Sequence, residues 1–308
     1  MLTIQRVLFP TDFSDGAREA FPQAAALAHW HDAELHVMNV TGRHRHDYEE
    51  ATDQFPIDEA TLTDWLGPAA SGALNLDDLS IVQKQVESAT PPERIVAYAE
   101  DEDIDTIVMG THGRRGVDRM LFGSVTEEVV RTAPCPVMTV RAGADEAPKQ
   151  AVRRVLVPVD FSDASLAAVR HAREIALTYG AEIDLLHVVE EMTYPSAYGM
   201  EATYFPTDEI VQSVEKSLGD LVRDEIGYEH AQIAAEVGHP PTTILDYVEE
   251  QAIDLVVLAT QGRTGLDRVL FGSVAERVLR GSPAPVFVVK PDTKSLLPQP
   301  VADTTEKA

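Results

Sequence analysis

The sequence predicts two tandem α/β domains, each an open five-stranded, mostly parallel sheet flanked by helices. The first basis is an internal duplication: residues 7–15 read VLFPTDFSD and residues 155–163 read VLVPVDFSD, at an offset of 148. Residues 110–125 and 259–274 repeat at an offset of 149. The second basis is that short apolar runs alternate with helical patterns in each half, which is typical of a parallel sheet covered on both faces. The length of 308 residues suits two domains of about 100–200 residues each.

In the first half, strands and helices are predicted in alternation along the chain. Strands are expected at 7–9, 35–40, 81–86, 104–109 and 137–140. Helices are expected over 15–29, around 62–73, from residue 91, and over 124–131. Pro10 is expected to end the first strand because proline has no N–H for a ladder, whereas Pro91-Pro92 suits the first turn of a helix. The second half repeats this order through Val155, Ile183, Ile233, Leu255 and Val286.

The duplication also predicts where the domains begin and end. The first domain is expected to span residues 1–143 and the second residues 152–291. Residues 142–151 read AGADEAPKQA, a stretch of small and polar residues that is typical of a linker. Residues 292–308 are expected to form a polar C-terminal tail.

The composition excludes several classes of protein. The chain has 25 Lys+Arg against 51 Asp+Glu, a formal net charge of −26, so neither nucleic acid nor an anionic membrane is an expected partner. Its one cysteine excludes an intrachain disulfide and a multi-cysteine zinc site. No apolar run is long enough to span a membrane and no secretory signal is recognisable, so we expect a cytoplasmic protein. The acidity fits either a salt-rich cytoplasm or an ordinary acidic protein.

Two places in each half are candidates for a ligand site, because open α/β sheets bind ligands beyond the carboxyl ends of their strands. One place follows the first strand, at Asp12 and Asp160. The other is the glycine-rich loop that follows the fourth strand and ends at a helix beginning with Ser124 or Ser273. Glycines allow close approach of the backbone, and the free N–H groups of a helix start favour a phosphate.

The charges of these loops are opposite in sign to the charge of the chain. The first loop has three arginines against one aspartate, and the second has two against one; they are Arg114, Arg115, Arg119 and Asp118, then Arg263, Arg268 and Asp267. A local excess of positive charge favours a bound polyanion, although tight turns with solvated arginines have the same pattern. Neither the P-loop motif nor the Rossmann dinucleotide motif is present.

The order Gly110-x2-Gly113-x9-Gly123-Ser124, after an apolar strand and before a helix, resembles the ATP-binding signature of the universal stress protein family. Pro-Thr-Asp-Phe-Ser at 10–14 and TAPCPV at 132–137 are similar to patterns at the first and last strands of that family. The resemblance covers both halves and therefore nearly the whole chain. It implies a tandem protein with the adenine nucleotide hydrolase-like fold of the family, whose antiparallel last strand serves dimerisation.

The resemblance also implies a binding site in each half. In the first half, Asp12 would touch the adenosine, the backbone of Val37 would meet the adenine and Gly110 would lie against the ribose. The phosphates would be held by backbone N–H groups and a hydroxyl, from Gly113, Gly123, Ser124 and Val125. The matching residues of the second half are Asp160, Val188, Gly262, Gly272, Ser273 and Val274. The ligand implied is ATP, AMP or ADP, with Mg²⁺ carried on the phosphates.

One position departs from the family pattern. The first glycine of the motif is replaced by Ala259 in the second half. Its methyl group could crowd a ribose or be tolerated at negative φ, so the first site is expected to be the more readily occupied.

The function implied is that of a nucleotide-binding regulatory protein of the stress response. An interaction scaffold without nucleotide, and a weak ATP hydrolase of the same fold, stay open as alternatives. An ATP pyrophosphatase would want Ser-Gly-Gly-x-Asp-Ser after the first strand, where this chain has Thr11-Asp12-Phe13-Ser14. No general base recurs in both halves, since His112 corresponds to Gln261, so any hydrolysis is expected to be slow.

Three further expectations concern assembly, loops and histidines. A fused pair can imitate a dimer, with 137–140 pairing against 286–289; a second copy and an unidentified regulatory protein are additional partners to consider. The long stretches 41–57 and 190–207 are hypothesised to be lids over the adenine. The histidines are more typical of scattered surface residues than of a metal site; they are His29, His31, His36, His44 and His46.

Overall fold

The computed structural model describes residues 2–42, 55–70, 74–111, 123–141, 152–190, 207–260, 272–291 and 293–298. The strands of the first half are β1 (Arg6–Thr11), β2 (Glu34–Thr41), β3 (Ile81–Glu87), β4 (Thr106–Gly110) and β5 (Val137–Val140). Those of the second half are β6 (Arg154–Pro158), β7 (Glu182–Val189), β8 (Ala231–Val237), β9 (Leu255–Ala259) and β10 (Val286–Val289). The α-helices of the described residues are α1 (Asp15–His31), α2 (Glu59–Ala70), α3 (Pro91–Asp101), α4 (Ser124–Thr132), α5 (Asp163–Tyr179), α6 (Thr207–Leu221), α7 (Pro240–Glu250) and α8 (Ser273–Gly281).

The two halves share one ten-stranded sheet in the order β3-β2-β1-β4-β5-β10-β9-β6-β7-β8. Strands within each half are parallel. The halves meet at β5 and β10, which pair antiparallel with Phe287 opposite Met138. The predicted five-stranded α/β halves and the predicted pairing of 137–140 with 286–289 are therefore confirmed.

Helices cover both faces of the sheet, and each face has a core that continues across the two halves. Val7 and Phe9 of β1 point to the face covered by α1, α2, α5 and α6. Leu8 points to the opposite face, which is covered by α3, α4, α7 and α8. Because consecutive strand residues alternate in this way, the strands read as continuous apolar runs, as the sequence predicted.

The first strand does not end at Pro10, contrary to the prediction. β1 continues to Thr11, with Pro10 opposite Met38 and Thr11 opposite Asn39 of β2. On its other side, β1 pairs with β4 only at Val7 and Leu8. Since Pro10 lies beyond the pairing with β4, its missing N–H is tolerated in the strand.

At the seam between the halves, two cations cap helices reciprocally. Arg141 follows β5 and donates from Nη1 to the carbonyl oxygen of Gly281, at the end of α8, over 2.8 Å. Lys290 follows β10 and donates from Nζ to the carbonyl oxygen of Ala133, at the end of α4. Both side chains therefore stabilise the negative end of a helix of the other half, as expected of a pseudo-twofold assembly.

Lys290→Met should remove a pH-dependent part of the stability. Burial lowers the pKa of Lys290 to about 8, against the opposing effect of Cys135. Between that value and 10.5 the unfolded chain binds more protons at this position, so the contribution of Lys290 to stability is lowest near neutral pH and rises with pH across the window. Because the side chain is partly exposed, we expect a rise of about 1–2 kcal/mol, well below the full linkage value.

The measurement is the free energy of unfolding in urea between pH 7.5 and 10.5, as the difference between the native and substituted proteins. Cys135, whose pKa burial raises to about 12, acts in the opposite direction but is present in both. Arg141→Met is the matched control, because arginine keeps its charge throughout this range. A difference for Lys290→Met as flat with pH as that for Arg141→Met would contradict the prediction.

The beginning of the C-terminal tail is not a polar extension, contrary to the prediction. Residues 293–298, here called the C-terminal clasp, pack on both halves. Leu296 is only 1% exposed; its carbonyl oxygen accepts from the N–H of Thr3, and its N–H lies 3.4 Å from Nε2 of His171 on α5. Lys294 forms ion pairs of 2.7 and 2.8 Å with Asp103 and Asp105. The prediction failed because residues 292–308 are polar on average, although Leu296 among them is buried.

No helix among the described residues has the length and apolar character needed to cross a bilayer.

Candidate functional site

The turn after the first strand has the same construction in both halves. Oδ1 of Asp12 accepts from the N–H of Ser14 over 3.0 Å, and Oδ1 of Asp160 accepts from the N–H of Ser162 over 3.0 Å. The helix caps are the serines, whose hydroxyl oxygens accept from the first turns of α1 and α5. The carboxylates thus form Asx turns, and the capping of the helices belongs to Ser14 and Ser162. Both carboxylates stand half-buried at the carboxyl end of the sheet.

A strained aromatic residue follows each of these aspartates. Phe13 has φ 63° and Phe161 has φ 61°, in the left-handed region that residues other than glycine rarely adopt. Such a residue costs about 1–2 kcal/mol and persists only where its surroundings hold it. Phe13 packs edge-to-face on Trp65 with the ring centroids 5.9 Å apart, and Phe161 packs on His187 with the ring centroids 5.0 Å apart. Both halves therefore maintain a strained turn that presents the carboxylate.

The glycine-rich loop is closed at its neck in both halves. The N–H of Gly123 donates to the carbonyl oxygen of Thr111 over 2.7 Å, and the N–H of Gly272 donates to that of Thr260 over 3.0 Å. Each glycine is the N-cap of the helix that follows, α4 or α8. The neck thus holds the start of the helix at the carboxyl end of β4 or β9.

The predicted phosphate ligands differ in whether their N–H groups already have a partner in the fold. Since the N–H groups of Gly123 and Gly272 already close the necks, a phosphate would meet those of the first helical turn, which have no acceptor within a helix. In the first half this turn begins with the exposed Ser124, followed by Val125. In the second half it begins with Ser273, followed by Val274. Gly113, Gly262 and the five loop arginines lie outside the described residues.

Helix packing explains why residue 110 is a glycine. A Cβ on this residue would lie 2.3 Å from the carbonyl oxygen of Gly16, so only glycine lets α1 approach β4 this closely. In the second half, Ala164 and Ala259 occupy the two equivalent positions. Ala259 lies in β9 opposite Val289 without positive φ, so its methyl group creates no backbone strain. The exchange of glycine for alanine therefore reflects a change in packing on both partners of the contact.

The predicted adenine contact at Val37 does not match that at Val188. Val37 lies inside the sheet, opposite Phe9 of β1 and Gln83 of β3, whereas Val188 lies beyond the last pair of β6 with β7. The offset of 148 that relates β1 to β6 relates Val188 to Val40. Val40 is therefore the residue at the carboxyl end of β2, and the prediction of Val37 as the equivalent of Val188 is wrong.

A half-buried apolar strip lines the carboxyl ends of the strands on the α4 and α8 face. In the first half it consists of Val40, Val86 and Val125. In the second half, Val188 and Val274 are the equivalents of Val40 and Val125, whereas Glu236 lies opposite Val188 at the position of Val86. Val125 and Val274 belong to the first turns of α4 and α8, so each half has a valine at the end of its second strand and another at the helix start. Sequence reasoning missed Val40 and Val86, although the constant offset could have identified Val40.

On the other face of the sheet from the strip, one polar residue in each half is fixed to the end of the first strand. Asn39 donates from Nδ2 to the carbonyl oxygen of Thr11 over 2.9 Å, and its Oδ1 accepts from Gln85. The equivalent His187 lies 2.6 Å through Nδ1 from the carbonyl oxygen of Val159, which requires the proton on Nδ1. These bonds hold the residue that precedes each site aspartate.

Two of the five histidines have hydrogen-bond partners among the described residues. His36 bonds Tyr98 and Glu34, and His31 bonds Tyr179. His44 and His46 lie outside the described residues, as do residues 43–54 and 191–206 of the hypothesised lids. In the part of the chain that the structure describes, no three His, Cys, Asp or Glu side chains are grouped to hold a metal ion.

Known proteins resemble the chain over most of its length. Residues 3–141 and 151–290 each match the Universal stress protein family. A universal stress protein of Methanocaldococcus jannaschii is 33% identical over 145 residues, covering 46% of this chain and 84% of that protein. One of Mycobacterium tuberculosis is 27% identical over 224 residues, covering 72% of this chain and 73% of that protein. A solved universal stress protein from Archaeoglobus fulgidus has the same fold, with a TM-score of 0.62 at 21% identity over 92% of this chain and 98% of that one. The chain therefore belongs to the universal stress protein family and contains the family domain twice.

Proposed function

We propose that the protein binds an adenine nucleotide at the carboxyl ends of the strands in each half, and that this binding serves regulation in the stress response. The observation that carries the proposal is the recurrence, in both halves, of three elements at one edge of the sheet. These are a carboxylate on a strained turn, half-buried valines at the end of the second strand and in the first helical turn, and a helix that starts at a closed loop neck. Family membership supports the same function.

The chemistry of each element suits one part of the ligand. The apolar strip with Val40 suits the face of a purine base, and the carboxylate of Asp12 suits the hydroxyl groups of a ribose. The first turn of α4, with the Ser124 hydroxyl, suits the phosphates. In the second half the same parts are Val188, Asp160 and Ser273. Mg²⁺ would be carried on the phosphates of ATP.

We propose binding rather than rapid turnover. The groups that recur in both halves are a carboxylate, a serine hydroxyl and backbone N–H groups, all of which can hold and orient a nucleotide. Hydrolysis would in addition need a base beside the terminal phosphate to orient water.

Ser124→Asp should weaken ATP binding in the first half by about tenfold or more, because it places a negative charge at the phosphate position. Ser124 is exposed, and aspartate is favourable in the first turn of a helix, so the fold should be retained. Isothermal titration calorimetry with ATP and Mg²⁺ measures the effect. The native protein is expected to bind two equivalents per chain.

Adenosine is the internal control, because it has no phosphate and its affinity should be the same for both proteins. Ser273→Asp is the matched variant of the second half, and the double variant should lose both sites. Unchanged ATP binding in the double variant would refute the assignment of the phosphate position, and absence of binding to the native protein would refute the proposed function.

A further inference from the structure

One guanidinium links the two helices that begin at the proposed phosphate positions. Nη2 of Arg280, near the end of α8, lies 2.8 Å from Oε1 of Glu276 in its own helix. The same nitrogen lies 3.5 Å from Oε2 of Glu127 on α4, in the other half. Glu127 and Glu276 occupy equivalent positions, each in the first turn of its helix. Arg280 thus contacts the first-turn carboxylate of both halves.

These carboxylates lie within electrostatic range of the phosphate positions. Glu127 follows Ser124 by three residues, which corresponds to about 4.5 Å of helix rise. The Debye length is about 8 Å at physiological ionic strength, so a carboxylate about one helical turn from the phosphate position is only partly screened and repels a bound phosphate. Neutralising the carboxylate therefore favours the anion at the helix start.

The equivalent residue of the first half does not share this arrangement. Arg131 corresponds to Arg280 at the offset of 149, but it bonds Glu128 within its own helix. The Nε atom of Arg280 is buried, with no hydrogen-bond partner in the part of the chain that the structure describes. The head of Arg280 thus lies in the seam between the halves, while Arg131 makes a local surface pair.

We propose that Arg280 is a positioning residue shared by both nucleotide sites. By neutralising Glu127 and Glu276 together, it increases the affinity of both helix starts for the phosphates of a nucleotide. The inference rests on the proposed function and adds to it that one residue of the second half controls binding in the first.

The test compares Arg280→Met with Arg131→Met in calorimetric titrations with ATP and Mg²⁺ at low ionic strength. A charge near a helix end is worth about 0.3–1 kcal/mol, so Arg280→Met should weaken ATP binding about two- to fivefold at each site. Arg131 neutralises Glu128 of α4 alone, so Arg131→Met should leave ATP affinity at the second site unchanged, and adenosine affinity should be unchanged in both variants. The loss should vanish in about 1 M salt, where the Debye length is near 3 Å.

A rescue experiment separates this charge effect from a structural one. Adding Glu127→Gln to Arg280→Met removes the carboxylate left without its cation, so ATP affinity should recover at the first site and stay low at the second. Unchanged ATP affinity at either site of Arg280→Met would overturn the inference, as would a parallel loss of adenosine binding or no recovery in the double variant. If the native protein binds no ATP, the proposed function itself fails and the inference falls with it.

Discussion

Gly110→Ala should destabilise the first half by about 3 kcal/mol, because overpacking against backbone cannot be relieved by a side-chain rotation. The added Cβ would lie 2.3 Å from the carbonyl oxygen of Gly16 and 2.6 Å from its carbonyl carbon. Both atoms belong to the first turn of α1, which is fixed to the end of β1 through the Ser14 cap. The helix start would therefore have to move away from β4. Urea unfolding followed by circular dichroism measures the loss.

Two substitutions serve as controls for Gly110→Ala. Ala259→Gly makes the equivalent exchange in the second half in reverse, and should cost only the about 0.5–1 kcal/mol of a glycine within a strand. Gly272→Ala adds a methyl group whose nearest neighbour is the carbonyl oxygen of Thr260 at 3.4 Å, at φ −63°, so it should cost only the about 1 kcal/mol of alanine at an N-cap. If Gly110→Ala proved as mild as Gly272→Ala, α1 could not lie as close to β4 as described.

The same result would separate two explanations of the motif glycine. The resemblance to the family implies that Gly110 lies against a ribose, whereas the structure gives this glycine a packing partner that needs no ligand. A variant that loses stability without nucleotide present would show that packing alone accounts for the residue. Ala259 then gives no reason to expect a weaker second site.

Much of the fold could be predicted because it follows from local patterns that occur twice. The apolar face of α1, the prolines that open α3, and the buried strands β4 and β5 are each encoded within about ten residues. The duplication then predicted the pairing of β5 with β10, because two equivalent edge strands can pair about a twofold axis. The aspartate turn and the helix start at Ser124 were identified for the same reason.

Features that depend on long-range register could not be read in this way. Leu35-His36-Val37 matches Leu186-His187-Val188 letter by letter, but the two segments differ by three residues in their pairing with the neighbouring strand. Pro10 was predicted to end β1, but it has no pairing partner on the β4 side and its missing N–H is therefore tolerated. The absence of that partner depends on distant residues and is not visible in the local sequence. The contact of Gly110 with Gly16 joins residues far apart in the chain, so it was also hidden.

The C-terminal clasp is the other element that local composition concealed, and it joins the two halves through specific contacts. His171 on α5 bonds the carbonyl oxygen of Ala167 through Nδ1, so Nδ1 carries the proton and Nε2 accepts from the N–H of Leu296. Burial lowers the pKa of His171, with the Ala167 bond and Glu174 opposing, which favours this neutral form. From the other half, the N–H of Thr3 donates to the carbonyl oxygen of Leu296 over 3.0 Å.

Leu296→Ala should therefore destabilise the whole protein by about 3 kcal/mol, within the range for deleting a buried leucine side chain. Leu296 belongs to the core of the α1 and α5 face, together with Leu2 and Ile4 of the first half. Because the leucine joins elements of both halves, its loss should lower the unfolding midpoint in urea as one transition. Leu297→Ala is the matched control, since Leu297 is only partly buried and should cost clearly less. Equal effects of the two substitutions would mean that the clasp is a surface segment that does not join the two halves.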